Sequence, residues 1–181
     1  MKILLKAILL SLGLIFLSYL ILPSPEFPER LDGALVSDEP GDNETPLRRA
    51  YFTDLTRGEV LAHYQMQFAR LSLLGIPVPT YRLNYLPEEA QALIRDQTRS
   101  TFLEEIVHPL RESLYINGFE PKLDKDAIRI GGKKWRQKVT VRYVPSSPVV
   151  RFTFGALSLL LVYFLAKDVI AALKDFKSQS L

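Results

Sequence analysis

The chain contains no cysteine, and only two of its 181 residues are histidine. Without thiols there is no disulfide framework, no thiol nucleophile, no iron–sulfur cluster and no thiolate zinc site. A lipobox also needs a cysteine, so a lipoprotein anchor at the N-terminus is not expected. G-x-S-x-G, the P-loop, G-x-G-x-x-G and H-E-x-x-H are all missing, and with them the short motifs whose mechanics are best understood. Neither sign of charge dominates. Lys and Arg number 23 against 20 Asp and Glu, a balance that does not mark a nucleic-acid binder.

The average hides two charged blocks. From Ser24 to Leu47 seven acids stand against the single Arg30, a net of −6, and from Arg129 to Arg142 six bases stand against no acid, a net of +6. Such blocks inform about partners rather than fold. The sequon Asn43-Glu44-Thr45 precedes Pro46. It reads as chance in a chain with no other eukaryotic sign, and an outside domain without disulfides suits a bacterium.

Two apolar segments lie near the ends. Ile3–Leu22 is interrupted only by Lys6. Its length corresponds to about 30 Å of helix, the thickness of a hydrocarbon core. The exit Ser18-Tyr19-Leu20-Ile21-Leu22-Pro23 has no small-residue cleavage site, so residues 1–22 are expected to stay as a signal anchor rather than leave as a signal peptide. A second span is expected over 148–173. Phe152–Ala166 is uncharged, and Arg151 and Lys167 can snorkel at its two ends. Lys2 and Lys6 before the first span place the N-terminus in the cytoplasm. Two spans then bring the C-terminal tail, 174–181, to the same side and hold the middle of the chain outside the cytoplasm, in the cell membrane of a bacterium.

Residues 23–47 carry Pro23, Pro25, Pro28, Pro40 and Pro46 among many acids. They read as an extended stalk, with Gly33–Val36 as a possible short strand. Residues 48–145 read as an α+β domain. Arg48–Asp54 is expected as a strand. Thr56 and Glu59 form a capping box for a helix to about Ser72, with Val60, Leu61, Tyr64, Phe68 and Leu71 on one face. Thr80–Tyr85 alternates as a strand. Pro87-Glu88-Glu89 opens a second helix, whose stripe Phe102, Leu103, Ile106, Val107, Leu110 and Leu114 runs to a stop at Asn117-Gly118, with a kink at Pro109. Ala127–Ile130 and Lys134–Val144 flank Gly131-Gly132 as a hairpin. Trp135, Val139, Val141 and Tyr143 face one way, and Lys134, Arg136, Lys138, Thr140 and Arg142 the other. The expected fold is a mainly antiparallel sheet with two helices on one face, flanked by two transmembrane helices.

The run Arg49-Ala50-Tyr51-Phe52-Thr53, then Thr56-x-x-Glu59-Val60-x-x-x-Tyr64 with Gly75 downstream, resembles a unit of small bacterial membrane-anchored extracytoplasmic domains of unassigned function. There a strand feeds a capped helix bearing an aromatic pair and a glycine closes it. The likeness covers Arg49–Gly75, and His63 stands where phenylalanine is common. It implies a location and a local fold, and no site residues.

Chemistry is sparse. Glu59 and His63, and Glu104 and His108, are spaced i,i+4 and so share a helix face, which makes a shared metal between two helices geometrically possible. Ordinary boundary and solvated positions explain both pairs more simply, so no metal, cofactor or catalytic residue is assigned. The basic strand residues Lys134, Arg136, Lys138 and Arg142 are the expected binding surface. Anionic lipid or a protein partner is the expected occupant, and the acidic segment is an intramolecular competitor. Charges that merely keep the edge soluble are the simpler alternative. The chain is expected to be an interaction protein at the membrane. An envelope enzyme acting on a wall or lipid substrate is the runner-up.

Overall fold

The structure is a computed structural model that describes residues 2–93 and 100–179. In chain order the elements are α1 (Lys2–Ile21), β1 (Leu35–Val36), β2 (Arg48–Thr53), α2 (Arg57–Phe68), β3 (Ser72–Leu73), β4 (Ile76–Pro77), β5 (Tyr81–Tyr85), α3 (Pro87–Leu93), β6 (Phe102–Val107), β7 (Ser113–Phe119), β8 (Ile128–Ile130), β9 (Lys133–Trp135), β10 (Gln137–Val144) and α4 (Pro148–Gln179). They form two compact units, one from Met1–Pro23 with Ser146–Leu181 and one from Ser24–Pro145. Residues 94–99, the last two residues of the expected tail and the side chains of Lys2 and Lys177 lie outside the described residues.

In the first unit α1 and α4 are each long and apolar enough to cross a membrane. They pack antiparallel: Gly13 faces Leu159, whereas Gly155 faces Leu20, Leu17 and Phe16. A Cβ on Gly155 collides with the Leu20 side chain, so glycine sets how closely these backbones approach, as small residues do where helices meet in lipid. Ala7, Ser11, Ser18 and Ser158 are exposed. Arg151 does not extend outward as expected. It is buried, and a guanidinium nitrogen donates to the Leu22 carbonyl at 3.0 Å. The last carbonyls of a helix have no partner within it, and this cation satisfies one of them.

The second unit is α+β, built on a six-stranded antiparallel sheet in the order β1-β2-β10-β7-β6-β5. The capping box forms as the sequence predicts: Glu59 N–H donates to Thr56 Oγ1, and Thr56 N–H donates to Glu59 Oε2. α2 then buries Val60, Leu61, Tyr64 and Phe68 against Val139, Val141, Ile116 and Ile106 of the sheet. It ends at Phe68, earlier than expected, because residues 72–77 pair as a small hairpin whose turn residues Leu74 and Gly75 are both left-handed, with φ of 53° and 79°.

The expected long second helix does not extend to Phe102 and beyond. α3 is described as far as Leu93, and Phe102–Val107 and Ser113–Phe119 are strands paired in register from Phe102↔Gly118 to Val107↔Ser113. Their residues are buried on both sides of the sheet, so the apolar pattern loses the period of two. Phe102, Leu103, Ile106 and Val107 then also fit helical spacing. Pro109 sits in the turn between the strands rather than in a kink, and Asn117-Gly118 lies inside β7 rather than ending a helix. The acidic segment is likewise no stalk. Leu31 is fully buried in the core, Phe27 and Val36 pack against it, and β1 adds an edge strand to β2. A few apolar residues suffice to fold down a segment whose average composition is polar.

Gly118 has no room for a side chain. The Phe102 ring lies over it, and a Cβ there collides with Cε1 and Cζ of that ring. Gly118→Ala is expected to push Phe102 from its rotamer and to destabilise the unit by about 1–3 kcal/mol, read as a lower denaturation midpoint. A midpoint shift of less than about 0.5 kcal/mol, ordinary for a surface change, contradicts this packing.

Candidate functional site

Gly131 and Gly132 supply the left-handed turn (φ 61° and 76°) that lets β8 pair with β9. Alternation then sends Lys134 outward and Trp135 inward, leaving Trp135 only 8 % exposed. Arg136 falls between β9 and β10, and in β10 Lys138 and Arg142 share one face of the sheet while Val139, Val141 and Tyr143 line the other.

The basic residues are largely matched by acids. Lys133 pairs with Asp54 at 2.6 Å, and its Nζ also sits 3.8 Å from the centroid of the Trp135 ring. Lys134 pairs with Asp124 at 2.9 Å and Arg136 with Glu120 at 2.8 Å. Hydrogen bonds from Lys133 and Lys134 hold the Asp54 and Asp124 carboxyls below the usual carboxylate range. Lys138 is held differently. It meets Glu39 and Asp42 of the acidic segment, each at 2.7 Å, and Asp42 is buried and accepts from Ser37 Oγ at 2.5 Å. Burial works against the Lys138 ammonium, but hydrogen bonds to Asp42 and Glu39 outweigh it and raise its pKa. Arg142 forms no ion pair among the described residues. The four residues expected to form one binding surface therefore fall into three settings: Lys134 and Arg136 beside Trp135, Lys138 beneath the acidic segment, and Arg142 alone.

Lys134, Trp135 and Arg136 line a cavity of about 330 Å³ whose other wall is the segment Glu120–Ala127, with Pro121 and Leu123 as apolar surface and Lys122 as a further cation. The indole N–H of Trp135 is buried with no acceptor among the described residues, a state that costs on the order of 1–3 kcal/mol. Sequence reasoning placed Trp135 as an ordinary core residue and missed the far wall. The available signal was the chain's one tryptophan set among Lys133, Lys134 and Arg136.

The histidine–glutamate pairs are employed separately. Glu59 is spent in the capping box, which holds its carboxyl low through the Thr56 backbone N–H. His63 Nε2 lies 2.9 Å from Gln67 and 3.2 Å from the Glu29 carbonyl. His108 is buried, stacks on Phe68 at 4.5 Å and bonds the Phe68 carbonyl at 3.0 Å. Glu104 is 1 % exposed and is taken by Arg57 at the start of α2, with Arg82 3.8 Å away. Among the described residues no group of three or more His, Asp or Glu side chains is placed to hold a metal ion.

Glu88 and Glu89 lie exposed in the first turn of α3, as a solvated helix face requires, whereas Glu104 and Glu105 are buried residues of β6. Glu105, next to Glu104, points to the opposite face of the sheet and accepts from the Tyr85 hydroxyl at 2.5 Å, which raises the Tyr85 pKa. Glu112 forms a buried pair with Arg111 at 2.8 Å. No family model matches the sequence, and comparisons with curated proteins and with solved structures give no match either.

The Lys138 contact has a measurable consequence. Lys138→Met strands a buried Asp42 carboxylate and is expected to destabilise the protein by about 1–3 kcal/mol, the cost of an unmatched buried polar group. Adding Asp42→Asn is expected to recover most of that loss. Equal losses in the single and double variants contradict the pairing.

Proposed function

We propose that this chain is a two-span membrane protein that holds its α+β unit outside the cytoplasm as an interaction module for an acidic partner, a protein or the membrane surface. The observation that carries the reading is the arrangement of the first unit. Two apolar helices from opposite ends of the chain pair antiparallel, sealed at Gly155 and by Arg151 on the Leu22 carbonyl, and the whole second unit is the sequence between them. Antiparallel pairing is what two spans with both termini on one side require.

The basic hairpin supports the interaction role. It concentrates six cations within residues 129–142, and their ion pairs near Trp135 are solvent-exposed, so an acidic partner can exchange for them at little cost. The buried carboxylates Glu104 and Glu112 are each held by an arginine, which suits structural groups better than a hydrolytic acid–base pair. Lys2 ahead of the first span and Lys6 near its start favour a cytoplasmic N-terminus. Reporter fusions after Gly41 and after Leu181 are expected to read outside and inside the cytoplasm respectively. A cytoplasmic signal at Gly41 overturns the proposal.

A further inference from the structure

We propose that the cavity between the β8–β9 hairpin and residues 120–127 binds a carboxylate carried on a small apolar group, with Trp135 as its wall. The inference rests on the reading of the second unit as a binding module and names the site and the ligand class. Its size, about 330 Å³, is at the small end of ligand pockets, so it takes a small molecule or the end of a chain rather than a length of polymer. Its lining is mixed in the way such a ligand needs, with Pro121 and Leu123 for the apolar group and Lys122, Lys134 and Arg136 for the charge.

Three observations point to a carboxylate. The cations already hold carboxylates in place: Asp124 on Lys134 at 2.9 Å and Glu120 on Arg136 at 2.8 Å. Both pairs are well exposed to solvent, so they are weak and exchangeable, and an incoming carboxylate replaces like with like. Lys122 has no ion pair among the described residues, which leaves the lining with three cations against two acids. The third observation is on Trp135, which lines the cavity and whose indole N–H is buried without an acceptor among the described residues. A carboxylate oxygen settled against that edge supplies it. The ring is already immobilised, since Lys133 covers one face at 3.8 Å and is itself tied to Asp54, so binding orders little that is not ordered beforehand.

Trp135 is the only tryptophan in the chain, so its emission reports this cavity alone. Full-length protein in detergent micelles is titrated with N-acetyl-leucine, with its neutral amide and with inorganic phosphate, by calorimetry and by fluorescence. N-acetyl-leucine is expected to bind saturably and to change Trp135 emission over the same range, while the amide and phosphate bind at least about tenfold more weakly. Arg136→Gln is expected to weaken N-acetyl-leucine about tenfold, as is Trp135→Phe, read by calorimetry, because it keeps the ring and loses the N–H. Far-UV circular dichroism confirms that both variants are folded. No saturable binding, equal binding of the amide or of phosphate, heat without an emission change, or full affinity in both variants each overturns the site. A cytoplasmic reporter at Gly41 with binding intact removes the topology and leaves the site standing. The reverse result removes the site alone.

Discussion

β10 is the constraint on which the second unit depends. It lies between β2 and β7 in antiparallel register, from Gln137↔Thr53 on one side to Val144↔Ser113 on the other. It thereby joins residues 48–53 to residues 113–119, two stretches far apart in the chain. Val139 and Val141 are fully buried in the core beneath α2. A shift of one residue sends them to the opposite face and brings Lys138 and Arg142 into the core. The pairing thus also decides where the charges go. Lys138 meets the acids of residues 39–42, and Trp135, just ahead of the strand, is set against Glu120–Ala127.

The parts legible in the sequence were those with a clean period or a specific cap. α1 and α4 follow from apolar length, α2 from the Thr56–Glu59 box, the β8–β9 turn from Gly131-Gly132, and β10 from strict alternation. β6 and β7 were not legible, and the reason is physical. Strands buried on both faces, with the ion-paired Glu104 inside β6 and Glu112 just ahead of β7, present mixed apolar and acidic residues at spacings that also suit a helix. Only the β-branched Ile106-Val107 pair and Pro109 spoke against one. Residues 24–47 misled in the opposite sense. Their acids and prolines suggested an independent tether, but Leu31 and Phe27 bind the segment to the core, and Asp42 does so through Lys138.

The site was half legible. The basic run was visible, but its division was not, because which cation meets which acid is decided by contacts distant in sequence: Asp54 with Lys133, Glu39 with Lys138 and Glu120 with Arg136. The ion pairs that quench the basic run are of two kinds. Lys138 with buried Asp42 fastens the fold, whereas the pairs around Trp135 are exposed to solvent. The weight of an ion pair thus differs with the burial of its acid.

Native-state hydrogen exchange of the full-length protein in micelles tests the role of β10 most directly. The amides of Val139, Thr140 and Val141 are expected to exchange only through global unfolding of the second unit, with protection equal to its full stability, while the β8–β9 hairpin exchanges through smaller openings. Exchange at Val139–Val141 as fast as in the hairpin contradicts the account, because a strand that opens on its own cannot hold the rest of the sheet in register.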